Sequence, residues 1–331
     1  MKIVKKSSRE RELEKQIAKV QEEEILQQKY VDILSNGGFK AVFGDRNNKR
    51  VIMDILNTLL PEHRQLEDIE LVQTEYRGHT EDGKEYRYDF MCRDINGVSF
   101  IVEAQKYHDD NWFKRCVSYT SRIYDMQNQI GQDYVAKPVY LIGLMGVEIE
   151  HPEMELWKDK YVSEYTFREK ETHELLDETI FIIFAEVARF NKQMDECGTD
   201  LEKMLYLLKN SGEILQPSGW MASEKYTRIM TACEIGKFNK MKRLQYIRDM
   251  MAEKGRISEM NTAIRRGRDE GRAEGRAEGR AEGREEGREE GREEGRKEGL
   301  LLAARNMREQ GLPVDMIAKA TGLSEGEIAE L

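Results

Sequence analysis

Glycine recurs at every fourth position from Gly267 to Gly299, and this array limits the fold of the chain more than any other feature. Arginine follows each of these glycines except the last, and glutamate precedes most of them. Each glycine in a helix costs about 1 kcal/mol relative to alanine, so the whole array costs roughly 9 kcal/mol. Because four residues advance about 400° along a helix, the glycine stripe drifts and forms no fixed face. We therefore expect a marginal helix, or one that a second chain stabilises, and not a stable helix of a single chain.

The charge pattern limits how this chain can contact nucleic acid. Residues 265–299 carry 11 basic and 12 acidic side chains, so the array is not a DNA-binding arm. The segment 263–299 is interpreted as a soluble spacer or as an oligomerisation stalk. The full chain has 53 basic and 63 acidic residues and a formal charge of −10. Any contact with DNA therefore requires a local basic patch.

Several features bear on the compartment. No run approaches the roughly 18 apolar residues of a membrane helix. The first residues, MKIVKKSSRERELEKQ, lack the apolar core of a secretory signal. The four cysteines form no Cys-x-x-Cys pair, which argues against a zinc knuckle or a redox motif. We expect buried free thiols in a cytoplasmic protein that has no membrane association.

The hydrophobic periodicity after residue 35 predicts an α/β layer sandwich, because a helix, three strands, a helix and a strand follow one another. The first helix is predicted from Phe39 to Leu60, where Pro61 ends it. The second is predicted at about Asn111–Ile130. The predicted strands are Ile69–Arg77, Tyr86–Arg93, Ser99–Gln105, Pro138–Leu144, Tyr161–Thr172 and Thr179–Val187.

The composition divides the chain further. A charged N-terminal helix precedes the α/β domain, and a charged helical pattern follows it. The predicted division is 1–35 for the N-terminal helix, 36–190 for the α/β domain, 191–262 for a helical region, 263–299 for the array and 300–331 for a small helical tail.

The segment YRYDFMCRDINGVSFIVEAQK, residues 86–106, carries the clearest chemical signal. A two-residue turn would place Asp89 opposite Ala104, whereas a three-residue loop with Gly97 in a left-handed conformation pairs Asp89 with Glu103. The second register is preferred because it separates one apolar face from one polar face. The apolar face then holds Tyr88, Phe90, Cys92, Phe100, Val102 and Ala104, and the other holds Arg87, Asp89, Ile101, Glu103 and Gln105.

Two directly opposed carboxylates repel each other, since their Cβ atoms lie about 4.5–5.5 Å apart. A hard divalent cation between Asp89 and Glu103 removes this repulsion and accepts oxygen ligands. The expected ion is Mg²⁺, with Mn²⁺ as the alternative; it binds a phosphate oxygen and lowers the pKa of a water. Gln105 follows on the same face and is expected to orient the water or the scissile phosphate. The alternative is an ordinary polar sheet face.

The spacing D-x13-E-x-Q, preceded by the helix that begins Phe39-Lys40-Ala41-Val42-Phe43-Gly44, resembles the PD-(D/E)XK nuclease superfamily. Within it the chain resembles the Rpn family of recombination-promoting nucleases and transposases. The helix after the E-x-Q strand, the EGR array and the tail also match that family. The residues that carry this further match are Phe113, Arg115, Tyr119, Tyr124, Gln127, Gly131, Tyr134, Pro138, Ile317, Ala318, Thr321, Gly322, Leu323, Ser324 and Ile328.

The resemblance implies that residues 36–190 form a restriction-endonuclease-like mixed sheet flanked by helices. It also implies metal-dependent endonuclease activity on DNA, with Asp89, Glu103 and Gln105 as catalytic residues and the two carboxylates as metal ligands. Gln105 stands where the superfamily usually has lysine. Lys106 alternates to the apolar face and is not expected to replace that lysine.

Lys114, Arg115 and Arg122 lie on the helix after the E-x-Q strand and are interpreted as phosphate contacts or as ordinary surface charges. The tail 300–331 has too few apolar residues for an independent core, so we expect it to dock on another chain and form a homo-oligomer. Its last helix, from Ser324, carries no basic residue, which argues against reading of DNA bases.

These observations predict a Mg²⁺-dependent DNA endonuclease that acts in recombination, in a mobile element or in phage defence. An alternative is a non-catalytic DNA-binding or assembly module that retains the nuclease fold. A third hypothesis is a nuclease toxin or phage-defence factor that its own C-terminal region keeps silent.

Overall fold

A computed structural model describes residues 22–25, 27–76, 85–128, 131, 133 and 135–331. Most of the predicted N-terminal helix over residues 1–35 lies outside these ranges, as do Tyr134 and the end of the predicted strand Ile69–Arg77. The chain separates into two compact units, Met1–Arg256 and Ile257–Leu331.

Within the described part of the first unit, six strands form one mixed sheet in the order β1-β4-β5-β6-β8-β7. The neighbours β5, β6 and β8 are parallel, whereas β1, β4 and β7 run antiparallel to their partners. This architecture confirms the predicted mixed sheet flanked by helices. The strands are β1 (Ile69–Leu71), β2 (Glu75–Tyr76), β3 (Tyr86–Arg87), β4 (Phe90–Asp94), β5 (Ser99–Gln105), β6 (Val139–Met145), β7 (Val162–Thr166) and β8 (Ile180–Ala185), of which β2 and β3 form a separate pair.

The hairpin between β4 and β5 has the predicted register. Phe90 pairs with Val102 and Arg93 with Ser99, so the ladder has the predicted register and its last pair directly adjoins Asp89 and Glu103. Gly97 has a φ of 83°, which confirms the left-handed position in the three-residue loop. Asp94 closes that loop because its carboxylate accepts the N–H groups of Asn96 and Val98, both at 2.8 Å.

The helices of the first unit differ from the prediction mainly before Pro61, and the helix predicted at about Asn111–Ile130 ends at Asp125. The predicted helix Phe39–Leu60 is wrong, because two helices, Asn36–Phe43 and Lys49–Leu59, occupy this stretch. Gly44 ends the first helix, and the Asp45 side chain caps a short 3₁₀ turn between them. The further helices are Trp112–Asp125, Asp200–Asn210, Glu224–Cys233 and the first part of Lys240–Glu309.

Both faces of the sheet are covered. Phe90, Cys92, Phe100 and Val102 pack into a large core with the helices on their side of the sheet, as predicted. The opposite face, expected to be polar, is instead covered by the helix Trp112–Asp125. Met91 and Ile101 of the sheet are buried there against Trp112, Cys116 and Ile123 of the helix.

Tyr88 belongs to this second face, so its predicted place on the apolar face with Phe90 is wrong. Tyr88 and Asp89 lie between β3 and β4, where the regular alternation of a strand is interrupted.

The second unit contains the array and the tail. The array lies within the helix Lys240–Glu309, and its side chains are exposed along the whole of 267–299. The tail adds the helices Val314–Thr321 and Glu325–Ala329, the second capped by Ser324. Ala304, Ile317 and Ile328 are fully buried together, so the tail packs partly upon itself, which the sequence analysis did not anticipate.

The four cysteines are buried free thiols, as predicted. Every helix in the described part of the chain is too short or too polar to serve as a membrane span.

Candidate nuclease site

Asp89 and Glu103 are brought together where the β4–β5 ladder ends. The main-chain N–H of Asp89 donates to Glu103 Oε1 at 3.0 Å, and the main-chain N–H of Ala104 donates to Asp89 Oδ2 at 3.2 Å. Side-chain oxygens thus take the place of the carbonyl groups that a regular ladder would supply. Each carboxylate is held on the neighbouring strand by this exchange.

The two carboxylates differ in their surroundings. Asp89 opens to solvent, whereas Glu103 is only 2% exposed. Desolvation and the neighbouring charge of Asp89 raise the pKa of Glu103 well above its ordinary value. Desolvation by the surrounding protein also raises the pKa of the Asp89 carboxyl, although the Ala104 N–H and the charges of Arg115 and Lys40 act against it. The pair therefore carries an electrostatic cost that a bound cation would relieve.

A glycine on the next strand lets the covering helix approach Glu103 closely. Gly143 pairs with Glu103 across β5 and β6. A Cβ atom at Gly143 would lie 2.8 Å from the ring of Phe184 and 3.1 Å from that of Trp112. The absence of a side chain at this position thus allows both rings to pack beside the buried carboxylate.

Gln105 is held by two partners. Its side-chain nitrogen donates to the main-chain carbonyl of Tyr107, and its Oε1 accepts from Arg115 Nη2 at 3.2 Å. Arg115 Nη1 also lies 2.7 Å from Asp109 Oδ2, and Arg115 Nη2 lies 3.9 Å from Glu103 Oε2. Arg115 therefore links Gln105 to the buried carboxylate, a contact that the spacing on the helix could not predict.

A cavity of about 230 Å³ lies in front of Asp89 and Gln105. Several residues that line it were not predicted from the sequence, because they come from distant parts of the chain. The helix Asn36–Phe43 contributes Lys40, and the helix Lys240–Glu309 contributes Glu253 and Arg256. Of these residues, Glu253 has the clearest signal in the sequence, because it is a charged residue at a buried position of its helix.

Glu253 is only 3% exposed and is hydrogen-bonded on several sides. Its Oε2 accepts the main-chain N–H of Asn36 at 2.9 Å, and its Oε1 accepts the Tyr107 hydroxyl at 2.8 Å. Lys106 Nζ lies 3.8 Å from Glu253 Oε1 and 2.6 Å from Asp32 Oδ2. Glu253 thus fixes the segment that immediately follows Gln105.

The remaining predicted cations lie apart from this cluster. Lys114 is exposed on the helix Trp112–Asp125. Arg122 is half-buried on the same helix, with its guanidinium 5.9 Å from the Tyr86 ring centroid. Lys106, predicted to alternate to the apolar face, instead lines the cavity itself, where it pairs with the Asp32 and Glu253 carboxylates.

The donor set suits a hard divalent cation. Within the described residues, no group of three or more His, Cys, Asp or Glu side chains converges as a metal site. The candidate donors are the Asp89 and Glu103 carboxylates, and water and phosphate would supply the further ligands, as at many Mg²⁺ sites. The raised pKa of buried Glu103 indicates that a positive charge is favourable beside it.

Comparison of the chain with protein families gave a match. A family model described as PD-(D/E)XK nuclease family transposase matches residues 36–263. Comparison with curated proteins gave no match, and neither did comparison with solved structures. The matched range contains Asp89, Glu103 and Gln105, and it also contains the more distant residues that line the cavity, Lys40, Glu253 and Arg256.

Proposed function

Since the chain belongs to the PD-(D/E)XK nuclease family transposases, we propose that it is a divalent-metal-dependent endonuclease that hydrolyses phosphodiester bonds in DNA. One observation carries the proposal: the Asp89 N–H donates to the Glu103 carboxylate, the Ala104 N–H donates to the Asp89 carboxylate, and Asp89 lines a solvent-open cavity beside them. The preferred ion is Mg²⁺, and Mn²⁺ is expected to replace it.

The chemistry divides among the residues of the site. When bound, a divalent cation supplies positive charge to the scissile phosphate and lowers the pKa of a water. Asp89 and Glu103 hold that cation through oxygen atoms. Gln105, fixed by Tyr107 and Arg115, orients the water or a phosphate oxygen. The guanidinium of Arg115 stabilises negative charge that develops near Gln105.

The sites of DNA contact and assembly are part of the same proposal. Lys114, Arg115 and Arg122 contribute positive charge on one helix, which supports their assignment as phosphate contacts.

The division of residues 36–262 into a nuclease domain and a helical region, followed by the array and the tail, is proposed as the functional organisation. Four buried free thiols favour a reducing, cytoplasmic setting. The biological role is proposed as recombination, mobile-element transfer or phage defence.

Assembly through the C-terminal region has its own support and its own test. Leu302 and Met316 are 60% and 53% exposed, so the tail retains apolar side chains outside its small core. We expect these side chains to contact a second copy. Deletion of 300–331 should lower the mass measured by light scattering, and an unchanged mass would contradict assembly through this segment.

The observation that favours the alternative function is Gln105, which stands where the superfamily usually has lysine. Loss of that cation would fit a DNA-binding or assembly module that retains the fold without cleavage. Nicking of supercoiled plasmid in Mg²⁺ and in EDTA, by the natural protein and by Asp89→Asn, separates the two functions. Metal-dependent nicking that Asp89→Asn abolishes supports the nuclease, whereas DNA binding without nicking supports the module.

A further inference from the structure

Four cationic side chains line the cavity beside Asp89, and they differ in what already balances their charge. Lys106 lies 2.6 Å from Asp32 and also approaches Glu253. Arg115 lies 2.7 Å from Asp109 and donates to Gln105. The charges of Lys106 and Arg115 are therefore matched inside the protein.

Lys40 and Arg256 are placed differently. The Lys40 side chain is 53% exposed, and its ion pair with Asp249 is long, at 3.5 Å. Arg256 is exposed, and it forms no hydrogen bond or ion pair with any residue that the structure describes. These two cations can therefore accept an anion from outside without breaking a buried network.

The cavity is large enough for one such anion. A volume of about 230 Å³ equals that of roughly seven or eight water molecules. This space accommodates a phosphodiester group with its hydration. The net charge of −10 also requires that local cations attract DNA to the carboxylates.

We propose that Lys40 and Arg256 bind phosphates of the DNA strand next to the phosphodiester that is cut. The inference rests on the proposed nuclease function and adds two substrate-positioning residues to it. It also assigns a role in DNA binding to the helix Lys240–Glu309, because that helix supplies Arg256. The guanidinium is suited to this role since it forms paired hydrogen bonds with phosphate.

The test uses the full chain with Lys40→Gln, Arg256→Gln and the double variant. Binding to a duplex oligonucleotide is measured in Ca²⁺ over a range of salt concentrations. Each phosphate contact contributes about 0.9 to the slope of log affinity against log salt, so each single variant should reduce the slope by about 0.9 and the double variant by about 1.8. Arg256→Lys should keep the natural slope because it retains the charge.

Two matched controls lie outside the cavity. Arg248→Gln changes an exposed arginine on the same helix as Arg256, and Lys49→Gln changes a lysine that is 43% exposed on the next helix after Lys40. Both controls should leave the salt slope unchanged. In nicking assays the cavity variants should raise KM for plasmid while kcat at saturating DNA changes less.

The outcomes separate failure of this inference from failure of the proposed function. If the single and double cavity variants keep the slope of log affinity against log salt that the natural protein has, the inference is overturned, even if the protein nicks DNA. If the two control variants lose as much of that slope as the cavity variants, the inference is also overturned, because the loss would then come from surface charge in general. A natural protein that binds DNA but never nicks it would overturn the nuclease function, while reduced slopes in the cavity variants would still support the two phosphate contacts.

Discussion

The main-chain N–H of Asp89 donates to the Glu103 carboxylate at 3.0 Å, and the Asp89 carboxylate in turn accepts from the residue that follows Glu103. This exchange places two acidic groups side by side at the end of a ladder, one exposed and one almost fully buried. Burial and mutual repulsion make the pair costly on its own. Buried ionisable groups with shifted pKa values are typical of functional sites.

Asp89→Asn and Glu103→Gln should each reduce nicking by at least about 10³-fold, more than the loss of a single electrostatic donor. Each change removes one charged ligand and keeps nearly the same shape. DNA binding in Ca²⁺ should persist or improve, because a negative charge near phosphate is lost. The exposed Asp110→Asn serves as the matched control and should nick normally. Full nicking by Asp89→Asn would refute the catalytic assignment.

Gln105→Ala should reduce nicking less than the carboxylate changes, by about 10²–10³-fold, because it removes an orienting group and no ligand charge. The measurement is the nicking rate against Mg²⁺ concentration. The Mg²⁺ concentration for half-maximal rate should stay close to the natural value. A large increase in that concentration would instead identify Gln105 as a metal ligand.

Glu253→Gln should lower the free energy of unfolding by about 1–3 kcal/mol, since a buried charge-assisted network loses its charge. The network joins Glu253 to Tyr107, to Lys106 and to the start of the helix Asn36–Phe43. Denaturant unfolding followed by circular dichroism measures the change. Glu259→Gln, an exposed position on the same helix, should leave the midpoint unchanged. Equal midpoints for both variants would show that the network contributes nothing to stability.

Glu202 gives a prediction about pH. Its hydrogen bond with Lys192, followed by the N–H groups of Thr199 and Gly198, lowers the pKa of Glu202 to about 2. Because the folded-state pKa lies below the unfolded one, this group stabilises the fold above about pH 4.3 and loses that contribution as pH falls toward 2. Glu202→Gln should therefore lower the melting temperature at pH 6, and the deficit should shrink at pH 3. A deficit that stays constant across this range would contradict the assignment.

The isolated segment 263–299 should show little helix by circular dichroism at low concentration. Its glycines cost roughly 9 kcal/mol, and its side chains have no core to pack against. The full chain presents the same residues as part of the helix Lys240–Glu309, which begins in well-packed sequence. Helix content that rises with peptide concentration would favour a stalk, whereas strong helicity in a dilute monomer would contradict this account.

Local sequence was sufficient for the register of the carboxylate pair. The Ile95-Asn96-Gly97 loop and the alternation of β4 and β5 permit one arrangement with a clean apolar face. That register brings Asp89 and Glu103 next to each other at the end of the ladder, where side-chain hydrogen bonds hold them. The break at Gly44 was missed, because a continuous apolar stripe hides a change of direction when the two helices pack on the same core.

The tertiary structure decided everything that depends on neighbours distant in the chain. Alternation could not show that the helix Trp112–Asp125 covers the Glu103 face, nor that Tyr88 leaves the ladder to join it. Lys40, Glu253 and Arg256 reach the cavity only because separate helices converge there. Sequence determined the register because pleat and turn geometry act over a few residues. The burial, the charge pairing and the pKa of a side chain depend on which surfaces pack together, and only the tertiary structure determines that packing.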